Sequence, residues 1–129
     1  MDDKIPSSPR YSGQHWLVEF HQAIRLDDLA HIEHALSAAV NASGARLLKL
    51  ELHHFGEGMG VAGVALLAES HISIHTWPEH GYAALDIFMC GAHTHPQASL
   101  DVLLDELQPK SCEVKKFLRG YSVGLDEKN

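Results

Sequence analysis

The spacing of apolar residues along the chain predicts six strands and two helices. His15–Phe20 (HWLVEF) reads as a short strand. Leu29, Ile32, Leu36 and Val40 then recur at helical intervals, with Asp27 or Asp28 placed to cap the helix start and Gly44 to stop it. From Arg46 to Phe55 the period changes. Leu48, Leu50 and Leu52 alternate with Lys49, Glu51 and His53, which predicts a strand with one buried face. The run 56–60 (GEGMG) turns the chain into Val61–Ala68 (VAGVALLA), apolar enough to predict a central strand. His71–Trp77 and Tyr82–Cys90 follow as strands around a short turn at Pro78–Gly81. Pro96 opens a second helix striped by Leu100, Leu103, Leu104 and Leu107, Pro109 ends it, and Cys112–Leu118 is the last strand.

Most strand joins are short, which suits antiparallel hairpins rather than parallel crossovers. The expected fold is therefore α+β, a two-layer sandwich in which two helices cover one face of a mainly antiparallel sheet. The element order is nearly mirrored about the middle of the chain, although no residue-level repeat accompanies it. With 129 residues, one domain spanning 1–129 is expected.

Composition narrows the function. A formal charge of −7 leaves no basic footprint for nucleic acid, and no apolar run is long enough to span a membrane. The polar start (MDDKIPSSPRYSG) lacks the apolar core of a secretory signal, so a cytoplasmic setting is expected, with Cys90 and Cys112 as thiols. The closing LDEKN reads as a polar tail. Eleven histidines are many for this length.

Reactive side chains are densest in Glu69–Glu79 (ESHISIHTWPE), between apolar strands where structure alone would favour fewer polar groups. Cys90 ends the next strand. There Leu85, Ile87 and Met89 share one face and Asp86, Phe88 and Cys90 the other, so the thiol points away from the Leu/Ile/Met face. Three readings follow from the residues. A zinc site would use His71, His75 and Cys90 with His93 or His95, but His71 and His75 lie about 13 Å apart along a strand, and no tight ligand pair is present. No metal is therefore expected. A Ser/His or Cys/His nucleophile system lacks a visible oxyanion turn or orienting acid. Histidines hydrogen-bonded at strand edges are the third reading, and composition alone favours it.

The stretch Glu69–Gly91 (ESHISIHTWPEHGYAALDIFMCG) resembles the core signature of the bacterial and archaeal S-adenosylmethionine decarboxylase pro-enzymes. The resemblance extends to GQHWLVEF near the start, HHF before the glycine turn, GVALLA before the serine, and Arg119-Gly120. It implies a chain that cuts itself between Glu69 and Ser70, giving a β chain of 1–69 and an α chain of 70–129. Ser70 would attack the Glu69 carbonyl to form an ester. Removal of its α-proton, elimination and hydrolysis would then leave a pyruvoyl cofactor on the new terminus. That group would form a Schiff base with the substrate amine and accept electrons as the carboxylate departs. By the same resemblance His75 is the processing base, Cys90 returns a proton to the substrate, Glu79 binds the ribose hydroxyls and Phe55 stacks on adenine. The implied partners are S-adenosylmethionine and a second copy of the chain, in a homodimer with sites near the interface.

One position departs from the family pattern. Eight residues before the cleavage serine the family usually carries Ser or Thr, and this chain has Ala62. The alternatives left open are an ornithine or arginine decarboxylase on the same scaffold, and a poorly processed relative without catalysis.

Overall fold

The computed structural model describes residues 12–120, so the polar segments at both ends lie outside the described residues. Eight elements follow in order: β1 (Gly13–His21), α1 (Leu29–Ser43), β2 (Leu47–His54), β3 (Val61–Leu67), β4 (Ser70–Trp77), β5 (Tyr82–Cys90), α2 (Pro96–Leu107) and β6 (Ser111–Arg119). This is the element order that the periodicity predicts, with strand ends within two residues of those expected. All six strands join one antiparallel sheet in the order β2-β3-β4-β5-β1-β6. The near-mirror of the element order is not carried into the sheet, whose centre is β4 and β5 and whose edges are β2 and β6.

Local chemistry sets the helix ends. The Asp28 carboxylate accepts the His31 backbone N–H at 3.1 Å, so Asp28 rather than Asp27 is the cap. Gly44 takes a left-handed conformation (φ 81°) that stops α1 without a Cβ penalty. Pro96 occupies the first turn of α2, where its missing N–H costs nothing. The Ser99 hydroxyl donates to the Ala39 carbonyl at 2.8 Å, pinning α2 to α1 inside the core.

Trp16, Val18, Phe20, Ile72, Ile74, Leu85 and Ile87 line the helix-facing side of the sheet and meet Ile32, Leu36, Leu103 and Leu107. Burying one such aliphatic side chain contributes roughly 1.5–3 kcal/mol, so this layer dominates the stability. Two expectations need correcting. Leu48 is 56% exposed because a register shift between Leu47 and Lys49 breaks the alternation, leaving only Leu50 and Leu52 packed on the core. β3 is not central but second from an edge, between β2 and β4.

The strand residues of the opposite sheet face do not join that core, yet this face carries Leu17, Leu66, Trp77 and Phe117, each at least 38% exposed. This explains why β3 is apolar throughout. Val61, Ala65 and Leu67 feed the core, while Ala62, Val64 and Leu66 feed the open face.

Candidate active site

The chemistry-bearing residues fall into two groups at different places on the sheet. The first surrounds the turn between β3 and β4. Glu69 sits there with φ 66°, a left-handed conformation that disfavours a residue with a Cβ. Ser70 follows as the first residue of β4 and is buried, its Oγ accepting the Cys90 backbone N–H at 3.1 Å. The strand pairing that fixes β4 against β5 thus brings the serine to the end of the strand that carries the thiol. Cys90 is itself buried. Burial, reinforced by the negative charge of Glu69, pushes its thiol above its ordinary value, so it carries its proton at neutral pH. Gly13 of β1 pairs with Cys90, and a Cβ there would stand 2.5 Å from the Met89 carbonyl oxygen and 2.9 Å from Sγ. Only glycine lets β1 approach the thiol this closely.

The second group lies toward the far end of β4. His75 is exposed, with its ring centroid 5.6 Å from that of Trp77, which in turn lies 5.3 Å from Tyr82. The Tyr82 hydroxyl donates to Glu19, and that bond, with burial, pushes its pKa up to about 12. Ala62 pairs directly with His75 across β3 and β4, and His53 pairs with Ala62 from β2. Glu51, His53, Val64 and Ser73 join them around an open cavity of about 410 Å³. Phe55 is exposed just beyond β2, its ring 4.6 Å from that of His53. Glu79 is exposed in the single turn of 3-10 helix at Pro78–His80 that links β4 to β5.

Within one chain these groups do not meet. Ser70 and His75 are five residues apart on one strand, roughly 16 Å at 3.3 Å per residue, and the odd offset directs them to opposite faces. The structure therefore brings Ser70 to Cys90 but sets His75 beside Ala62, with Phe55 and Glu79 at the same end of the sheet.

A third cluster lies between the two groups on the open face. Asp86 Oδ2 accepts from His15 Nε2 at 2.7 Å and from His71 Nε2 at 2.9 Å, and the Ser73 hydroxyl donates to Oδ1. Burial raises the Asp86 carboxyl, but the bonds from Ser73, His15 and His71 outweigh it and hold the group below its ordinary value. The zinc grouping considered from sequence is not formed: His71 is committed to Asp86, and His93 and His95 lie beyond Gly91 near the end of α1. Alternation in β4 and β5 places His71, Ser73 and Asp86 on one face, so part of this cluster was readable in the chain. The share of His15 was not, because nothing in the sequence says that β1 lies beside β5.

Comparison with known proteins bears on what the site is. Residues 14–120 match the family model described as S-adenosylmethionine decarboxylase. This chain belongs to the S-adenosylmethionine decarboxylase family. An S-adenosylmethionine decarboxylase proenzyme of Thermomicrobium roseum is 44% identical over 111 residues, covering 86% of this chain and 96% of that one. One from Parasynechococcus marenigrum is 49% identical over 109 residues, with 83% and 84% covered. One from the genus Methanococcus, M. aeolicus, is 43% identical over 116 residues, with 88% and 98% covered. The crystal structure of the adenosylmethionine decarboxylase from Aquifex aeolicus superposes with a TM-score of 0.77 at 33% identity, covering 84% of this chain and 90% of that one. The two-layer architecture expected from periodicity is thus the fold of an S-adenosylmethionine decarboxylase. Among the described residues no helix is long and apolar enough to cross a membrane.

Proposed function

We propose that the chain is a pro-enzyme that cuts itself between Glu69 and Ser70 and then decarboxylates S-adenosylmethionine, supplying the aminopropyl donor for spermidine synthesis. The observation that carries this reading is the buried Ser70, held against β5 at the end of Cys90, immediately after a left-handed Glu69. A non-glycine residue in that conformation costs about 1–2 kcal/mol. This is far below what amide cleavage needs, so the turn presents the bond rather than breaking it. The Ser70 hydroxyl adds to the Glu69 carbonyl carbon, and the acyl group passes from nitrogen to oxygen. Loss of the Ser70 α-proton then expels Glu69 as a free carboxylate, and water with loss of ammonia completes the pyruvoyl terminus.

The residues present fit that group: a buried serine at a strand start, a protonated thiol on the neighbouring strand, and Gly13 letting β1 close against it. When formed, the pyruvoyl group supplies an electron sink for the departing carboxylate. Cys90 then returns a proton to the substrate α-carbon. Glu79, an acceptor suited to a diol, takes the ribose hydroxyls, and the exposed Phe55 ring stacks on the adenine.

Because His75 is remote from Ser70 in its own chain, the base comes from a second copy. The open face favours such a dimer: Leu17, Leu66, Trp77 and Phe117 form an uncovered apolar surface that includes the His75 end. A two-fold axis through this face would bring the His75 end of one copy to the end of its partner's sheet where Cys90 shares the open face.

Intact mass spectrometry tests the reading. Fragments matching 1–69 and 70–129 are expected, and a Ser70→Ala chain should stay whole. A wild-type chain still uncut after long incubation would sink the proposal. Carbon dioxide should be released from carboxyl-labelled S-adenosylmethionine and not from labelled ornithine or arginine.

A further inference from the structure

The cluster of His15, His71, Ser73 and Asp86 takes no part in the chemistry above, yet it is the densest polar network on the open face. The two Nε2 atoms and an Asp86 oxygen lie within 4.8 Å of one another, a spacing that suits a metal ion. A fourth residue argues otherwise. Arg119 Nη1 lies 3.2 Å from His15 Nδ1, and a guanidinium only donates, so Nδ1 is an acceptor and the His15 proton sits on Nε2, aimed at Asp86. A metal on Nε2 would need that proton moved to Nδ1, where it would face the guanidinium donor. The rings of His15 and His71 flank Phe88 at 5.2 and 5.7 Å, and Arg119 lies over the same ring at 5.5 Å, so the network is also packed in place.

Its position gives it a use. His71 directly follows Ser70, and self-cleavage turns Ser70 from the inside of a hairpin into a chain terminus. Strand termini fray unless something ties them down. Before the cut, the β3–β4 turn holds residue 70 covalently. After it, the first side-chain anchor on β4 is the His71–Asp86 bond, and Asp86 belongs to the strand that carries Cys90. We infer that Asp86, braced by Ser73 and His15, is a positioning residue that acts through His71 to hold the newly formed terminus beside Cys90 once the chain has been cut. The inference rests on the self-cleavage reading. It assigns the network a task that arises only after processing.

The test compares the same substitution before and after the cut. Asp86→Asn is made in the wild-type chain and in a Ser70→Ala chain, which cannot cleave, and hydrogen exchange is followed at the His71–Ser73 amides. Exchange should accelerate about ten-fold more in the cut protein than in the uncut one, as expected for losing a hydrogen bond to a charged group. The mass of the α chain after turnover gives a second readout. A loosely held terminus should be protonated more often at the former carbonyl carbon. Hydrolysis then leaves alanine at residue 70 and releases the decarboxylated substrate as an aldehyde, so the alanine-ended fraction should rise. Equal acceleration of exchange in both backgrounds would reduce the network to ordinary structural support and overturn the inference. So would unchanged exchange in the cut protein. If Asp86→Asn does not fold, His71→Ala removes the same anchor from the other side. Failure of the wild-type chain to cut would overturn the self-cleavage reading itself, and its intact mass shows this separately.

Discussion

The two ends of β4 are built on opposite principles. At the Ser70 end the reactive atoms are buried, fixed by backbone contacts and enclosed by a turn with Glu69 in a left-handed conformation. At the His75 end the rings of His75, Trp77 and Phe55 are exposed beside an open cavity. A buried thiol keeps its proton. An exposed imidazole and aromatic surface suit something that arrives from outside. On the proposed reading, one chain holds two unlike halves of a site, and a whole site needs two chains.

The largest expected effect breaks this comparison directly. Ser70→Ala and His75→Ala should each abolish detectable cleavage alone, since losing a general base costs about 10²–10⁴-fold in rate. Mixed after subunit exchange, the two variants form dimers in which one site combines an intact Ser70 with an intact His75 from the other chain. The His75→Ala chain should then be cut and the Ser70→Ala chain should remain whole. If mixing restores nothing in exchanged dimers, the two halves act within one chain and the proposed composite site is wrong.

Cys90 belongs wholly to the buried half, so its loss should separate cleavage from turnover. Cys90→Ala should process close to normally, while decarboxylation falls about 10²-fold or more for want of a placed acid. Because burial and Glu69 raise its pKa above the ordinary 9.0, the alkaline loss of turnover set by this thiol should lie above pH 9.0. A turnover limb below that value would show that the thiol is not held as described.

Ala62 sharpens the exposed half. It pairs with His75 and stands where the resemblance implies a hydroxyl. Thr76 cannot replace that hydroxyl. Its Oγ1 accepts from the Val61 N–H and donates to the Leu26 carbonyl, each at 2.8 Å, on the core side. Ser73 lines the same cavity but donates to Asp86. Ala62→Ser should therefore speed processing by about ten-fold or more, as measured by the time course of intact mass. No acceleration would mean that position 62 does not assist the acyl shift in this chain.

These contrasts also mark what the chain disclosed by itself. Element order and the two helices were legible because Leu29, Ile32, Leu36 and Val40 keep helical period and the strands alternate cleanly. Leu48 misled because the register shift beside it is a property of pairing with β3, not of β2 alone. The motif from Glu69 to Cys90 named the candidate residues. It did not reveal that Ser70 and His75 diverge, although strand parity contained that fact. His15 and Arg119 were invisible as partners of Asp86, since β1 reaches β5, and β6 reaches β1, only across long stretches of chain.

The smallest predicted effect concerns the network between the halves. The Asp86 carboxyl is held below its ordinary 3.8 in the folded chain, because the bonds from Ser73, His15 and His71 outweigh the burial that raises it. A depressed folded pKa contributes stability that is fully present above the unfolded value and is lost as pH falls through the folded one. The site is partly solvated, so the contribution is modest. Asp86→Asn should therefore lower the Tm by a few degrees at about pH 5, well above the unfolded carboxylate value. The gap between the two proteins should narrow as pH drops below 3.8, where the wild type loses the same charge. A gap that stays constant through that range would show that the ionised carboxylate contributes nothing, and that Asp86 acts through shape alone.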